Sequence, residues 1–258
     1  MLDQGGRCGF VALIGAPNAG KSTLLNALVG SKIAIVTHKV QTTRSRLVGV
    51  AVHDDSQMIF VDTPGIFEAK KRLERAMVAA AWEGANDADI IIFMVDATRK
   101  IEDSTRIIAE GLKESSKKAI LVLNKIDLVK RDTLLAKTLE LNELGEFEET
   151  LMISATTGNG LAGLQDKIAL NLPKGPWLYP ADHLTDITER LLASEITREK
   201  FFLRFHDELP YATTIETERW RDLKDGSVRI EQIIYVERDS QKAMVIGKGG
   251  KGLKAIGT

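Results

Sequence analysis

The chain has a single cysteine, Cys8, in 258 residues, so no intrachain disulfide can form; that usage suits a reducing cytoplasm. It has almost no net charge, −1 at pH 7. The molecule as a whole therefore has no pull toward a polyanion, and any nucleic-acid site must be a local patch. Its four histidines, His38, His53, His183 and His206, are scattered and unaccompanied by cysteine, which argues against zinc. Long apolar runs are missing too. The longest, IIIFMV at Ile90–Val95, is far too short to span a bilayer and reads as a strand buried on both faces. The start, MLDQGGRCG, lacks the basic residues and apolar run of a signal peptide. What is present is ordinary for a globular protein, 44% hydrophobic and 28% charged, in a chain long enough for one large domain or two smaller ones.

The first two-thirds alternate between apolar runs and helical periodicity. FVALI at Phe10–Ile14 ends in Gly15, and Leu24/Leu28 and Leu25/Val29 then recur at four-residue spacing. LVGVAV, MIFVD, IIIFMVD, AILVLN and TLMIS read as further strands. Helices are expected around Leu73–Gly84, Ser104–Leu112, Thr133–Leu144 and over Leu161–Leu172. This grammar predicts an α/β fold in three layers, a mostly parallel sheet between helices, with right-handed crossovers. Half of the six prolines then fall in LPKGPWLYPADH, Leu172–His183, which reads as a linker. Beyond it, Asp186 and Glu189 resemble a capping box opening a helix that reaches about His206. ATTIETERW and SVRIEQIIYVE form a hairpin around RDLKDG, and a short helix follows. The expected domains are residues 1–172, a linker at 173–185, and a small α+β domain at 186–258.

GAPNAGKS, comprising Gly15, Ala16, Pro17, Asn18, Ala19, Gly20, Lys21 and Ser22, matches G-x-x-x-x-G-K-[S/T] between a predicted strand and helix. Its glycines let backbone N–H groups turn inward around phosphates, and the helix N-terminus adds partial positive charge. Lys21 would reach the β- and γ-phosphates and Ser22 would ligate Mg²⁺, with Thr23 next in the loop's contact set. The plain alternative is a glycine-rich turn. DTPG, Asp62, Thr63, Pro64 and Gly65, follows a strand end. Asp62 suits an indirect Mg²⁺ role there, and the Gly65 N–H can sense a γ-phosphate.

NKID at Asn124–Asp127 selects the base. Guanine presents N1–H and N2–H₂ side by side, and the Asp127 carboxylate can accept both; adenine would leave it unpaired. A site of this kind rejects the wrong base by roughly four to five decades. Lys125 can lay its aliphatic stem along the base face, and SAT, Ser154, Ala155 and Thr156, would place the Ala155 N–H near guanine O6.

These motifs, in this order, resemble the translation-factor-related GTPases, and QTTRSR at Gln41–Arg46 is similar to the first switch of the Era GTPase family. The resemblance covers nearly the whole chain. It implies that a threonine of that stretch ligates Mg²⁺, Thr43 being favoured over Thr42, and that GTP and GDP are the ligands. It implies a C-terminal KH domain of type II that binds 16S ribosomal RNA near its 3′ end, and a role in assembly of the 30S subunit. A monomer in the cytoplasm, with peripheral association at the inner membrane, is a further expectation. ELPYATTIETERW and MVIGKGGKGLKAIG look like that second domain. Ras-like enzymes orient water with a glutamine just after D-x-x-G, where this chain has Ile66, so turnover is expected to be slow. Related GTPases with an asparagine at Asn18 use it to hold K⁺ beside the phosphates; the alternative is that Asn18 only stabilises the loop. Lys21, Thr43, Gly65 and Asn18 are thus the expected catalytic set.

GKGG at Gly247–Gly250 fits the G-x-x-G loop of KH modules, which clamps a nucleic-acid backbone. Gly247, Lys248, Gly249, Gly250, Lys251 and Lys254 are the expected RNA contacts, in a stretch from Asp239 to Thr258 with charge +3 from four lysines and one aspartate. The sequence stops before the rest of the next helix and a further strand, so this domain is expected to be truncated and its RNA binding impaired. A nucleotide-gated scaffold with negligible turnover is the rival reading; an ATP-driven transporter or metabolic kinase fails on Asp127.

Overall fold

The computed structural model describes residues 6–37, 39, 47–67, 69, 72–114 and 119–257, which divide into two compact units. The first holds a six-stranded sheet in the order β2-β3-β1-β4-β5-β6. Its strands are β1 (Arg7–Gly15), β2 (Leu47–His53), β3 (Ser56–Asp62), β4 (Ile90–Asp96), β5 (Ala119–Asn124) and β6 (Phe147–Met152). The pairs β1–β3, β1–β4, β4–β5 and β5–β6 are parallel. The edge strand β2 runs antiparallel to β3, because only a tight turn at Asp54–Asp55 separates them and a parallel crossover needs a dozen or more residues.

Alternation along β1 explains the three layers. Val11 and Leu13 point into one core, with Leu24, Leu25 and Leu28 of α1 (Lys21–Val29) and Leu164 and Ile168 of α5 (Leu161–Asn171). Ala12 and Ile14 point into the other. There they meet Ala81 and Ala85 of α2 (Arg72–Asp87), Ile108 and Leu112 of α3 (Asp103–Glu114), and Leu134 and Leu141 of α4 (Arg131–Leu144). β4 is buried over its full length, as expected of a strand covered on both faces. Each such leucine or isoleucine stabilises the fold by about 1.5–3 kcal/mol.

The chain goes to one side of β1 for β3 and to the other for β4, so the strand order reverses at the carboxyl end of β1. In open α/β sheets that point opens a crevice for ligands.

The proline-rich segment packs along this unit. Cys8 N–H donates to the Pro173 carbonyl at 3.1 Å and Gly175 N–H to Gly6. The buried Gln57 side chain accepts from the N–H groups of Leu178 (2.9 Å) and Tyr179 (3.0 Å) and donates to the Tyr179 carbonyl (2.8 Å). Thr185 pairs with Gly49 on the sheet's edge. Edge N–H and C=O groups of β2 are thereby covered.

The second unit comprises Ile35–Lys39 and Ile187–Thr258. Its first helix, α6 (Glu189–Arg204), starts two residues later than the Asp186/Glu189 box would place it, since Thr188 is the N-cap and accepts from Leu191 N–H. The helix ends at Arg204, short of His206. β7 (Thr213–Asp222) and β8 (Val228–Val236) form the hairpin, with a bulge between Thr217 and Arg219. Then come α7 (Asp239–Ile246), a 3₁₀ turn at Lys248–Gly250, and α8 (Lys251–Ile256). Phe201, Leu209, Ile215, Val245 and Ile256 form its core. The stretch after GKGG is thus helical and contributes a core residue. At Gly252 a Cβ would lie 2.1 Å from the Val245 carbonyl oxygen, so the close approach of α8 to α7 requires glycine there.

Candidate functional site

The loops that follow β1, β3, β5 and β6 all open at the same end of the sheet. Asn124, the last residue of β5 and 2% exposed, joins three of them. Its Nδ2 donates to the Ala19 carbonyl of the phosphate loop at 2.9 Å, and its Oδ1 accepts from Ala155 N–H at 3.0 Å. The approach is so close that a Cβ on Gly20 would fall 2.2 Å from Nδ2. Gly20 also has φ +102°, which glycine adopts without strain. The strand-end asparagine thus holds GAPNAGKS, NKID and SAT in register.

Within the phosphate loop, Lys21 is buried and turned back on the loop's own backbone, donating to the carbonyls of Gly15 (3.0 Å) and Ala16 (3.2 Å). Burial lowers the Lys21 ammonium to about 8, against the raising influence of Asp62. Ser22 donates to Asp62 Oδ2 at 2.7 Å, so a helix-start hydroxyl and a strand-end carboxylate face each other, both hard oxygen donors. Thr63 donates to the Leu13 carbonyl, and Pro64 is buried. Gly65 lies against Pro17, and the next N–H, that of Ile66, donates to Gly15 at 3.1 Å. The Ile66 side chain is fully buried in the core shared with α2, α3 and α4. Thr23 is half-buried on α1. Thr43 and the rest of Gln41–Arg46 lie outside the described residues.

At the base end, Lys125 takes a left-handed backbone conformation (φ +67°), and Asp127 sits exposed in the 3₁₀ turn Ile126–Leu128. Lys125 Nζ donates to the Asn18 carbonyl at 3.0 Å. Ser154 builds its own loop, its Oγ accepting from Thr157 N–H and its carbonyl from Gly158 N–H. The Ala155 N–H, expected beside a purine O6, is turned to Asn124 Oδ1, so a base would have to share it.

Residues that sequence reading missed complete the site. Asp96, at the end of β4 and 7% exposed, accepts from Lys125 Nζ at 2.6 Å and from the Thr98 hydroxyl (2.6 Å) and N–H (2.9 Å). Burial works to raise the Asp96 pKa, but the bonds from Lys125 and Thr98 hold it below the usual carboxylate range. Asn26, one helical turn past Ser22, grips the chain that follows α1. It accepts from the N–H groups of Ile33 (3.0 Å) and Ala34 (2.8 Å) and donates to the Ala34 carbonyl (2.8 Å). An acidic residue at the end of a buried strand, followed by Thr98 in VDAT, is the signal that could have found Asp96.

In the second unit, Gly247, Gly249 and Gly250 all have positive φ (68°, 62° and 74°), which is why glycine recurs in GKGG. Lys242, Lys248, Lys251 and Lys254 are exposed around this turn, and so are the apolar Met244, Ile246 and Leu253. Among the described residues, no cluster of His, Cys, Asp or Glu could hold a metal by itself, and no helix is long and apolar enough to cross a membrane.

Comparison with known proteins agrees with both halves. Residues 10–125 match a family described as 50S ribosome-binding GTPase, and residues 208–258 match the KH domain family. The chain is 58% identical to GTPase Era of Sinorhizobium medicae over 252 residues, covering 98% of this chain and 81% of the relative. It is 55% identical to GTPase Era of Maricaulis maris, covering 100% and 86%. Among solved structures, a variant of Aquifex aeolicus Era bound to GDP and aluminium fluoride superposes with a TM-score of 0.91 at 38% identity, covering 97% of this chain and 86% of that one. An Era structure in complex with MgGDPNP and nucleotides 1506–1542 of 16S ribosomal RNA has the same TM-score and identity, with coverage of 98% and 86%. The chain, with its phosphate loop, guanine-type base motif and glycine-lysine turn, belongs to the Era GTPase family.

Proposed function

We propose that the first unit binds GTP with Mg²⁺ and hydrolyses it slowly with help from K⁺, and that the second holds 16S ribosomal RNA in assembly of the 30S subunit. The observation that carries the nucleotide half is Asn124, which ties the phosphate loop to the base loops through Ala19 and Ala155. The nucleotide-binding half is residues 1–172 with the proline-rich 173–185 packed along it, and the RNA-binding half is residues 186–258. The single, buried Cys8 supports a cytoplasmic location.

Ser22 and Asp62 suit Mg²⁺. Their oxygens already face each other at 2.7 Å, and an ion of that kind takes few protein ligands, the remainder being phosphate and water. Mg²⁺ bound there would neutralise charge on the β- and γ-phosphates. Lys21 would leave the Gly15 and Ala16 carbonyls for those phosphates, Thr43 would close the metal site from the first switch, and the Gly65 N–H would report the γ-phosphate. Ile66 contributes no hydrogen bond to water from its place in the core, which supports slow turnover. Asn18, in the left-handed conformation (φ +66°) at the crest of the loop, is the K⁺ ligand. Charge supplied there acts as an arginine finger would.

In the second unit, the GKGG turn clamps an RNA backbone. Lys248 and Lys251 supply charge, and the exposed Met244, Ile246 and Leu253 offer apolar surface to bases. This reading draws on the KH match and on the RNA carried by the Era complex above.

Replacing Asp127 with asparagine should weaken GTP binding by about a hundredfold or more and favour xanthosine triphosphate, whose O2 accepts from an amide. Wild-type GTP affinity in a fluorescence titration would refute the base assignment. Hydrolysis should be faster in KCl than in matched NaCl, and Asn18→Ala should remove the difference; equal wild-type rates in a phosphate-release assay exclude the cation role.

Lys21 gives a pH test. Bound phosphates favour its charged form, so its pKa rises on binding from about 8. Below that value the group binds its proton in both states and has no effect. Above it, binding takes up a proton and affinity falls, by at most about tenfold per pH unit. Calorimetry at about pH 9 in buffers of different ionisation heat should register this uptake; affinity independent of pH through this range would contradict it.

RNA binding through a lysine clamp should weaken with salt, with a slope of log K against log salt near −2 to −3 for about three or four phosphates on a single strand. Lys248→Asp with Gly249→Asp should abolish this binding in an anisotropy titration while GTP affinity stays unchanged. Binding that persists in the double variant would place the RNA site elsewhere.

A further inference from the structure

Asp96 belongs to none of the motifs that identify the family, yet its carboxylate is bonded to three groups. Its carboxylate is almost wholly buried and is oriented by the Thr98 hydroxyl and N–H. The loop that carries these groups is held from both sides. Ala97 N–H donates to the Asn124 carbonyl at 2.9 Å. From beneath, the buried ammonium of Lys137 on α4 donates to the carbonyls of Ala97 (2.7 Å) and Arg99. Burying a lysine is costly unless it is hydrogen-bonded, and here it is used to bond backbone in a short loop. What the carboxylate so fixed does is hold Lys125 Nζ at 2.6 Å, while the same ammonium donates to the Asn18 carbonyl.

We propose that Asp96 is a positioning residue for nucleotide binding: with Thr98 it pins the Lys125 ammonium against the Asn18 carbonyl, so the lysine stem is stretched between base loop and phosphate loop before a nucleotide arrives. The inference rests on the reading of Lys125 as the residue that lies along the base. A flexible lysine loses rotamer freedom when a ligand orders it, and a pre-ordered one does not. The carboxylate therefore sets how long a guanine nucleotide stays without touching it.

The test is the release of a fluorescent GDP, followed by stopped flow, from the full chain and from Asp96→Asn, Lys125→Met and the double variant. Loss of a charged hydrogen bond corresponds to about ten- to a hundredfold, so each single variant should release GDP faster by that factor. The double variant should release it no more than about threefold faster than the faster single one, because residues that act through one another are not additive. Thr98→Val, which removes only the hydroxyl that orients the carboxylate, should give a smaller acceleration, and this too should vanish in the Lys125→Met background. That variant keeps the question open to experiment if Asp96→Asn folds poorly. Unchanged release from Lys125→Met would overturn the reading of Lys125 itself. Faster release from Lys125→Met with wild-type release from Asp96→Asn would overturn the role of Asp96 alone, and so would acceleration by the two substitutions that multiplies in the double variant, which is what a merely structural carboxylate gives.

Discussion

The two hydrogen bonds of the Asn124 side chain are the constraint on which the rest of the nucleotide site depends. A parallel sheet delivers its loops to one end, but it sets neither their height nor their register. One amide, with a donor on one side and an acceptor on the other, removes that freedom for the phosphate loop and the SAT loop together. The arrangement constrains the neighbours in turn. Gly20 has no room for a side chain because Asn124 occupies the space, and the Ala155 N–H points inward because Asn124 accepts it. The same residue's carbonyl receives Ala97 N–H, which brings in the loop of Asp96. Strand β5 therefore acts as the common post for motifs far apart in sequence.

Electrostatics at the phosphate end follow from the same economy of space. A lysine at the start of α1 is wrapped by backbone and cannot be hydrated, so it solvates itself on Gly15 and Ala16 and its pKa falls. Ser22 and Asp62 pair nearby, the hydroxyl donating to the buried carboxylate at 2.7 Å. These contacts are local substitutes for the charges of a nucleotide. Binding exchanges one set of hydrogen bonds for another and does not build the site from solvent-exposed groups.

Most of this was legible in the sequence wherever chemistry restricts both residue type and spacing. Gly15, Gly20, Lys21, Ser22 and Asn124 are such a set, and the structure brings them together at one end of the sheet. The layered sheet was legible from the alternation of strands with helices; that Val11 and Leu13 serve one core and Ala12 and Ile14 the other was not, because FVALI is apolar throughout. What stayed hidden were polar side chains whose partners are backbone atoms. Gln57 binds Leu178 and Tyr179, Lys137 binds Ala97 and Arg99, and Asn26 binds Ile33 and Ala34. A backbone carbonyl has no residue identity, so such pairs leave no pattern to read. The start of α6 was misplaced for a smaller reason: Asp186 and Thr188 both suit an N-cap, and only the Leu191 N–H decides for Thr188.

The position after D-x-x-G sharpens the contrast with enzymes that place a glutamine there. Ile66 is part of the hydrophobic core, among Ile14, Ala81 and Ala85, and its N–H is bonded to Gly15. The loop is therefore anchored at two levels, by apolar burial below and by a backbone bond above. A polar side chain at this position would begin in the core, where its amide would lack partners, and bringing it out to a water molecule would cost the burial of an isoleucine, about 1.5–3 kcal/mol. The apolar residue is better understood as an anchor that holds Gly65 against Pro17 than as a catalytic residue gone missing. The phosphate loop is held from the base side as well, where the Lys125 ammonium meets the Asn18 carbonyl at 3.0 Å.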